Sequence, residues 1–393
     1  MKQQKVCIIG GGLTGLITAA TLSKLNLKID IVMSNITKNM KSNRTIAISQ
    51  NNYDFLKNLN IFKTPEKYFW PSMSMKLYTK IKNELSHEIF DINSEQNQKK
   101  KILYMIENSV MVKQILNFIK KNKSISLIQG DEVTKINSSG ILKSVHFKKK
   151  ERSKYNLVIV CTGSNSNLVN ALFSEKAYKR TYNETSITTV LEHNYLKNNT
   201  VRQIFLDEEI LALLPISNTK TSVVWTIRKN KLNEHSLKQN LVLKNKIKLY
   251  SKDFFENVKF NKNIEYKDLI FLIRRKYYKE RILLFGDALH VVHPMVGQGF
   301  NMILRDLMSL KKIINKKINL GLDIGSSDIL SEFLQNTKPG NFIYSMGIDS
   351  IKKFFDIESR NLKNFRNVII KKLNKNTRAK NIFFNLADKG IEL

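Results

Sequence analysis

Three glycines near the amino terminus have the spacing that lets a backbone approach a pyrophosphate. They belong to a G-x-G-x-x-G pattern made by Gly10, Gly11, Gly12, Leu13, Thr14 and Gly15. The first glycine permits a tight turn, the second admits the anion, and the third allows a helix to pack closely on a strand. The free N–H groups and the dipole of that helix then hold the negative charge. The pattern predicts a dinucleotide site to which Gly10, Gly12, Leu13, Thr14 and Gly15 contribute.

A second run, far along the chain, has residue types that could bind a polyol and a partly anionic ring oxygen. It spans residues 286–301 and contains Gly286, Asp287, Gly297, Gln298, Gly299 and Asn301. A carboxylate at the end of a strand suits a polyol hydroxyl, and a helix N-terminus suits an anionic ring edge. A flavin offers both groups, on its ribityl chain and on its pyrimidine edge.

His290 and His293 within the second run form an H-x-x-H pair that could be taken for a metal site. Zinc patterns of this kind add a third ligand and a glutamate base, which this spacing lacks. We therefore predict that no metal is bound. Both imidazoles are expected to be hydrogen-bonded scaffolding, with His293 and Pro294 shaping the turn beside the flavin.

The elements around both motifs are those of an α/β fold. Lys5–Ile9 and Lys28–Val32 are predicted strands around a helix at Leu16–Leu25, and Arg281–Phe285 is a strand before a helix at Met302–Ile314. Short apolar runs of this kind are typical of buried parallel strands. The middle of the chain adds predicted strands that would form an antiparallel sheet: Met73–Tyr78, Ser186–His193, Arg202–Phe205 and Ser222–Ile227.

The inner face of that sheet would make an apolar pocket over the flavin. The candidates for lining it are Phe205, Leu213, Leu214, Pro215 and Trp225, each of which could equally be ordinary sheet core.

Residues 286–301 resemble the G-D-A-x-H-x-x-H-P-x-x-G-Q-G-x-N signature of the ubiquinone-biosynthesis flavin hydroxylases. These belong to the aromatic flavoprotein monooxygenases typified by para-hydroxybenzoate hydroxylase. The segment from Arg44 to Ser49 is similar to the family's R-x-x-A-L-S segment, whose arginine lies beside the flavin. The segment from Cys161 to Ser166, which includes Gly163, is similar to the family's second fingerprint.

The resemblance implies an FAD-dependent aromatic-ring monooxygenase that uses NAD(P)H and O2 through a flavin C4a-hydroperoxide. Its substrate would be a polyprenylated phenol or another quinone precursor of ubiquinone biosynthesis. The implied fold is α/β, a Rossmann-like FAD-binding domain with an inserted antiparallel β-sheet substrate domain and a C-terminal helical segment. The expected division is residues 1–70, 101–175 and 276–320 for FAD, 71–100 and 176–275 for substrate, and 321–393 for the helical segment.

Three positions depart from the family pattern. Met33 stands where an acidic residue usually binds the adenosine ribose, Thr162 replaces an aspartate, and Ile303 replaces a glycine. They leave open a second hypothesis, a non-catalytic subunit that keeps the flavin fold and binds quinone lipid or partner enzymes. A third hypothesis, flavin-dependent reduction of prenyl double bonds, shares the same nucleotide fold.

The composition of the chain allows a packed core, and its net charge raises the question of a nucleic-acid partner. The 393 residues include 42% hydrophobic residues, which is enough for a packed core, and the net charge of +33 is spread along the chain. No nucleic-acid recognition motif accompanies that charge, so we predict no nucleic-acid partner. Cys7 and Cys161 lie in apolar runs, so a reducing cytoplasm is expected.

The carboxyl-terminal tail has apolar residues at three- and four-residue steps between Ile348 and Leu373, interleaved with lysines. Such a basic amphipathic segment caps a domain or lies on an anionic membrane surface. We expect capping, with peripheral membrane contact on the inner face and a complex with other ubiquinone-biosynthesis proteins as further hypotheses.

Overall fold

The computed structural model describes residues 3–34, 42–81, 84–93, 101–173, 177–206, 208–232, 238–260, 264–356 and 360–390. Two large sheets, two small sheets and a set of helices account for most of these residues.

A six-stranded sheet forms the floor of the cofactor cleft. Its spatial order is β19-β20-β12-β1-β2-β8, and all neighbours except β19 and β20 run parallel. The strands are β1 (Gln4–Ile9), β2 (Leu27–Met33), β8 (Ile125–Gln129), β12 (Leu157–Val160), β19 (Tyr278–Lys279) and β20 (Ile282–Leu284). The central strands are apolar on both faces because helices cover both sides of a parallel sheet.

Helix α1 (Leu13–Leu22) follows β1 directly, three residues before the predicted start at Leu16. The prediction was wrong at this boundary because Gly12 serves as the N-cap, so the third glycine of the motif lies inside the first helical turn. The predicted end at Leu25 was also wrong, since a turn at residues 23–26 leads into β2.

The second large sheet is mostly antiparallel and lies over the cleft. Its order is β21-β18-β13-β16-β15-β14-β5-β6, with β17 beside β13 and one parallel pair, β14 with β5. The strands are β5 (Ser74–Ile81), β6 (Glu84–Asn93), β13 (Tyr178–Glu192), β14 (Thr200–Leu206), β15 (Glu209–Pro215), β16 (Lys220–Arg228), β17 (Lys259–Phe260), β18 (Glu265–Ile273) and β21 (His290–Val291). The four predicted strands of the middle segment correspond to β5, β13, β14 and β16 of this sheet, with Met73 and His193 just outside the observed strands.

In the described part of the chain, two three-stranded sheets and four helices accompany the two large sheets. One small sheet contains β3 (Thr45–Ser49), β4 (Trp70–Ser72) and β7 (Leu103–Glu107), and the other contains β9 (Val133–Ser139), β10 (Leu142–Phe147) and β11 (Ser153–Tyr155). The helices of this part are α2 (Gln50–Asn58), α3 (Asn108–Lys121), α4 (Asn167–Leu172) and α5 (Lys238–Ser251).

Helix α6 (Gln298–Asn319) begins inside the second motif, four residues before the predicted Met302. The preceding residue, Gly297, has φ of +65° and caps the helix. That left-handed conformation strongly favours glycine. The chain thus passes from β20 in the parallel sheet to β21 in the antiparallel sheet and then into α6, so residues 286–301 touch both layers.

The tail consists of α7 (Ser327–Phe355), α8 (Arg360–Asn374) and α9 (Thr377–Lys389). Ile370 and Phe384 are buried in a cluster with Met75 and Phe90 of the antiparallel sheet, as expected for a capping segment. Ile348 is buried too, whereas Ile351 is 42% exposed. Among the described residues, no helix is both long enough and apolar enough to cross a bilayer.

Candidate active site

The carboxyl ends of three parallel strands meet so closely that glycine is required at two of them. A Cβ on Gly10 would lie 2.5 Å from the carbonyl oxygen of Cys161, at the end of β12. A Cβ on Gly286, after β20, would lie 2.4 Å from Thr14 Cγ2. The two motifs are therefore parts of one site, although about 270 residues separate them in the chain.

Gly12 faces open space at the amino end of α1. Apart from the adjoining residues of the chain, no described atom lies within 4 Å of the position that its Cβ would take, and no side-chain hydrogen bond caps this end of the helix. Gly163 also faces open space, with φ of +84°. Gly15 lies below, where a Cβ would meet the carbonyl oxygen of Gly10 at 1.9 Å. An uncapped helix N-terminus behind an open glycine fits a pyrophosphate.

On the side expected to face the ribose, β2 ends at Met33 and not at an acidic residue, as the sequence predicts. Met33 at the end of β2 is only 1% exposed. Its side chain fills the space beside Gly11, whose Cβ would lie 2.4 Å from Met33 Cβ. The side chain that replaces the usual acid therefore packs against the turn and offers no hydrogen bond to a hydroxyl.

The second motif turns its one acidic side chain toward the cleft. Asp287 is exposed and lines a cavity of about 650 Å³ together with Arg44, Pro294 and Gly297. Gly297 packs against Ala47 of β3, where a Cβ would come within 2.9 Å of the alanine methyl. The amino end of α6 is thus held against β3 and opens on the same cavity.

Asn301 ties this helix end to β3 and α2. Its Nδ2 donates to the carbonyl of Ala47 at 2.9 Å, and its Oδ1 accepts from the backbone N–H of Ser49 at 3.0 Å and from Asn52 Nδ2 at 2.9 Å. Asn301 is fully buried. These hydrogen bonds fix the amino end of α6 beside β3, and the predicted contact of Asn301 with the cofactor stays a prediction.

Gln298 is held from the tail. Tyr344 on α7 donates its hydroxyl to Gln298 Oε1 at 2.6 Å. Gln298 Nε2 is buried and has no hydrogen-bond partner among the residues that the structure describes. Gly299 beside it has only Val292 within 4 Å of its Cβ position. The side chain therefore keeps an amide donor available at the helix end.

His293 uses both ring nitrogens within the protein. Nε2 donates to Glu184 Oε2 at 3.2 Å, and Nδ1 accepts from the backbone N–H of Met295 at 3.2 Å. Burial lowers the pKa of the imidazole, while the hydrogen bond to Glu184 acts in the opposite direction. A neutral ring with both nitrogens engaged shapes the turn at Pro294 rather than exchanging protons.

His290 is buried in a separate network. It contacts Asp306 on α6 at 2.8 Å, and Asp306 also accepts from Asn341 Nδ2 on α7 at 2.8 Å. The described residues contain no cluster of His, Cys, Asp or Glu that could hold a metal ion.

Several residues of the site could not be found from sequence motifs. Lys267 of β18 lines the cavity, and desolvation there lowers the pKa of its ammonium, while Asp287 acts in the opposite direction. Glu184 of β13 accepts from Lys352 Nζ on α7 at 2.6 Å as well as from His293. Gln203 of β14 lines the cavity among apolar neighbours. These residues lie on strands or helices outside the glycine motifs: Glu184, Gln203, Lys267 and Lys352.

Of the apolar candidates on the antiparallel sheet, Leu214 lines the cavity and Phe205 packs against Met295. Leu213 and Trp225 instead lie in the core cluster under α5, on the opposite face of the sheet. For these two, the alternative of ordinary sheet core is correct, because alternate residues of a strand point to opposite faces.

The glycine turn, the acidic strand end and the overlying sheet together define a dinucleotide-cofactor protein with a cleft between two sheets. The chain belongs to the FAD binding domain family, which its sequence matches over residues 3–321. The Arg44 segment and the glycine motifs lie within this range, so FAD is the cofactor that the cleft binds.

The chain is similar over most of its length to proteins of ubiquinone synthesis. It is 25% identical to the mitochondrial ubiquinone biosynthesis monooxygenase COQ6 of Dictyostelium discoideum, over 97% of this chain and 90% of that one. It is 21% identical to the 3-demethoxyubiquinol 3-hydroxylase of Escherichia coli, over 88% of each chain. The solved structure of p-nitrophenol 4-monooxygenase PnpA from Pseudomonas putida matches with a TM-score of 0.78 at 13% identity, over 100% of this chain and 99% of that chain. The expected family, fold class and cofactor are confirmed.

Proposed function

We propose that this protein is an FAD-dependent aromatic-ring monooxygenase that hydroxylates a polyprenylated phenol or related quinone precursor in ubiquinone biosynthesis. The observation that carries the proposal is the cavity between the flavin motif and the apolar inner face of the antiparallel sheet. Its size suits an aromatic head group beside a flavin. The names of the curated relatives supply the substrate class.

The chain's own residues would hold the cofactor at both ends. We assign the pyrophosphate to the Gly12 end of α1, the ribityl hydroxyls to Asp287, and the pyrimidine edge to the amino end of α6 at Gln298 and Gly299. Arg44 and Lys267 add positive charge along the cavity. When bound, FAD supplies the redox and oxygen chemistry, with NAD(P)H as donor and O2 as oxidant. The protein orients the ring of the substrate and excludes water from it.

The three departures from the family pattern do not favour the non-catalytic alternative. Ile303 is 3% exposed and packs in the main core cluster, so the larger side chain is accommodated on the protein side of α6. Met33 fills space beside Gly11, and Thr162 is exposed at the end of β12. None of these side chains fills the open space in front of Gly12.

The test is oxygen incorporation by the purified flavoprotein. We expect a prenylated phenol to accelerate NAD(P)H oxidation and to yield a hydroxylated ring that carries label from labelled molecular oxygen. A product with a reduced prenyl double bond and no label would favour the reductase hypothesis. NAD(P)H oxidation that the phenol leaves unchanged, with no modified product, would favour the non-catalytic hypothesis.

We also propose peripheral membrane contact on the cytoplasmic face, through the exposed side of α7. Phe342, Ile343 and Met346 are 53%, 46% and 37% exposed and lie within about one helical turn. A substrate with an isoprenoid tail resides in lipid, so an apolar helix face near the cavity would bring the enzyme to it.

Replacing Phe342 and Ile343 together by glutamate should weaken binding to anionic phospholipid vesicles by at least about 10-fold. Each side chain would otherwise bury apolar area in the lipid interface. Vesicle co-sedimentation measures the change. Ile141, which is 76% exposed on the β9–β10 hairpin, gives a matched control as Ile141→Glu. Equal losses in the control and the double variant would contradict a specific role for α7.

A further inference from the structure

Gln203 lies on β14, on the sheet face that covers the cleft. In the strand register it lies between Leu77 of β5 and Ala212 of β15, and Ala212 pairs with Val224 of β16. Gln203, Ala212 and Val224 all line the cavity. Its chain neighbour Ile204 packs in the cluster on the other face. The amide therefore points into the cavity.

One charged residue of the cavity, Lys267, lies far from Gln203 along the sheet. Lys267 is on β18, four strands away from β14 in the sheet order. At a strand spacing of about 4.8 Å, that separation is roughly 19 Å. Around Gln203 the lining consists of aliphatic side chains, including Val201, Leu214 and Leu103. Gln203 is thus a polar group at the apolar end of the cavity.

The amide nitrogen of Gln203 lacks a hydrogen-bond partner within the described protein. The residue is 2% exposed, and its Nε2 is buried without a hydrogen-bond partner among the described residues. A buried donor without a partner destabilises a folded protein, so most such groups are satisfied. A bound molecule with an oxygen at this position would satisfy it.

We propose that Gln203 is the specificity-determining residue that binds the oxygen substituent of the aromatic ring through its Nε2 amide. This inference rests on the proposed function, since it names the residue that recognises the aromatic head group of the same substrate. The prenyl chain would lie along the neighbouring aliphatic side chains. The amide thereby selects an oxygenated ring over a hydrocarbon ring of the same shape.

Binding of two matched ligands to the FAD-loaded protein tests this proposal. The ligands are ortho-geranylphenol and geranylbenzene, which differ only in the ring oxygen, and the perturbation of the flavin absorbance reports binding. The wild-type protein should bind the phenol about 10- to 100-fold more tightly. Gln203→Met keeps the length of the side chain and removes the amide, so this preference should fall to about 2-fold or less.

Ser222→Ala is the matched control. Ser222 is on the same face of the sheet, is fully buried, and has an Oγ without a partner in the described structure, yet it is not among the residues that line the cavity. Its removal should leave the preference for the phenol unchanged. In the absence of ligand, Gln203→Met should melt at the wild-type temperature or above it, because it removes an unsatisfied amide.

The outcomes separate this inference from the proposed function. If both ligands bind and Gln203→Met retains the full preference for the phenol, the role of Gln203 is wrong while the proposed function stands. The same conclusion follows if Gln203→Met melts well below the wild-type protein, because the amide would then be structural. If the wild-type protein binds neither ligand, the proposed function fails and the inference fails with it.

Discussion

Gly12→Asp is expected to weaken FAD binding by at least about 100-fold while the protein remains folded. The aspartate would place a negative charge in the open space at the amino end of α1, where the pyrophosphate is proposed to lie. Two like charges about 4 Å apart repel by about 1 kcal/mol in water and by about 4 kcal/mol near a typical protein surface. In the proposed complex, two phosphates would face the carboxylate. Isothermal titration of the flavin-free protein with FAD measures the loss.

The same substitution should not lower the stability of the flavin-free protein. Gly12 has φ of −74° and ψ of 172°, which any residue adopts, and it is the N-cap of α1. Aspartate is a better N-cap than glycine by a few tenths of a kcal/mol. The melting temperature without FAD should therefore be equal or slightly higher.

Gly12→Ala is the control, since it adds volume without charge and should cost less affinity than aspartate. An aspartate variant that binds FAD as tightly as the alanine variant would contradict the assignment of the pyrophosphate to this helix end.

The parallel sheet and the two cofactor motifs could be predicted from sequence because their signals are local. Each motif is a strand, a glycine turn and a helix within about thirty residues. Glycine is required at Gly10 and Gly286 because a Cβ there would collide with neighbouring atoms. The helix starts were misplaced by three and four residues because the glycines that end the motifs are also inside the first helical turns. Turn composition alone does not separate an N-cap from a loop residue.

The contacts that surround the motifs could not be predicted, because they join residues that no spacing relates. Glu184 and His293 are 109 residues apart, and Glu184 and Lys352 are 168 residues apart. Gln203 is one of three polar residues in β14, with Thr200 and Arg202, and its role depends on which face of the sheet covers the cleft. Sheet register decides that question, and a single sequence leaves register open.

A buried group of charges links the tail to the flavin motif. Lys352 on α7 contacts Glu184 at 2.6 Å and also pairs with Asp356, while Glu184 holds His293. The side chains of Lys352 and Glu184 are only 5% and 6% exposed. Burial raises the pKa of Glu184, but the hydrogen bonds from His293 and Lys352 outweigh it, so the pKa lies below its ordinary value. Glu184 is therefore charged at neutral pH and depends on both partners.

Lys352→Met should lower the free energy of unfolding by about 3 to 5 kcal/mol at pH 7, because it leaves a buried carboxylate without its cation. Urea denaturation measures the loss. Lys353→Met on the same helix is the matched control. The side chain of Lys353 is 67% exposed and its Nζ lies 3.3 Å from Asp349 Oδ2, so its loss should cost about 1 kcal/mol or less.

The sign of the pH dependence gives this prediction a second check. A carboxyl group whose pKa is lowered by folding stabilises the protein above its unfolded pKa, and that contribution disappears as the pH falls through the folded value. Without Lys352, the effect of burial on the pKa of Glu184 outweighs the remaining hydrogen bond. Protonation of Glu184 then removes the free-energy cost of a buried carboxylate. The difference in the free energy of unfolding between wild type and Lys352→Met should therefore decrease as the pH falls from about 7 toward about 4.5. A difference in the free energy of unfolding that does not change with pH would contradict this prediction. So would a difference as small as that of Lys353→Met, because the charge of Lys352 would then not hold the tail to the flavin motif.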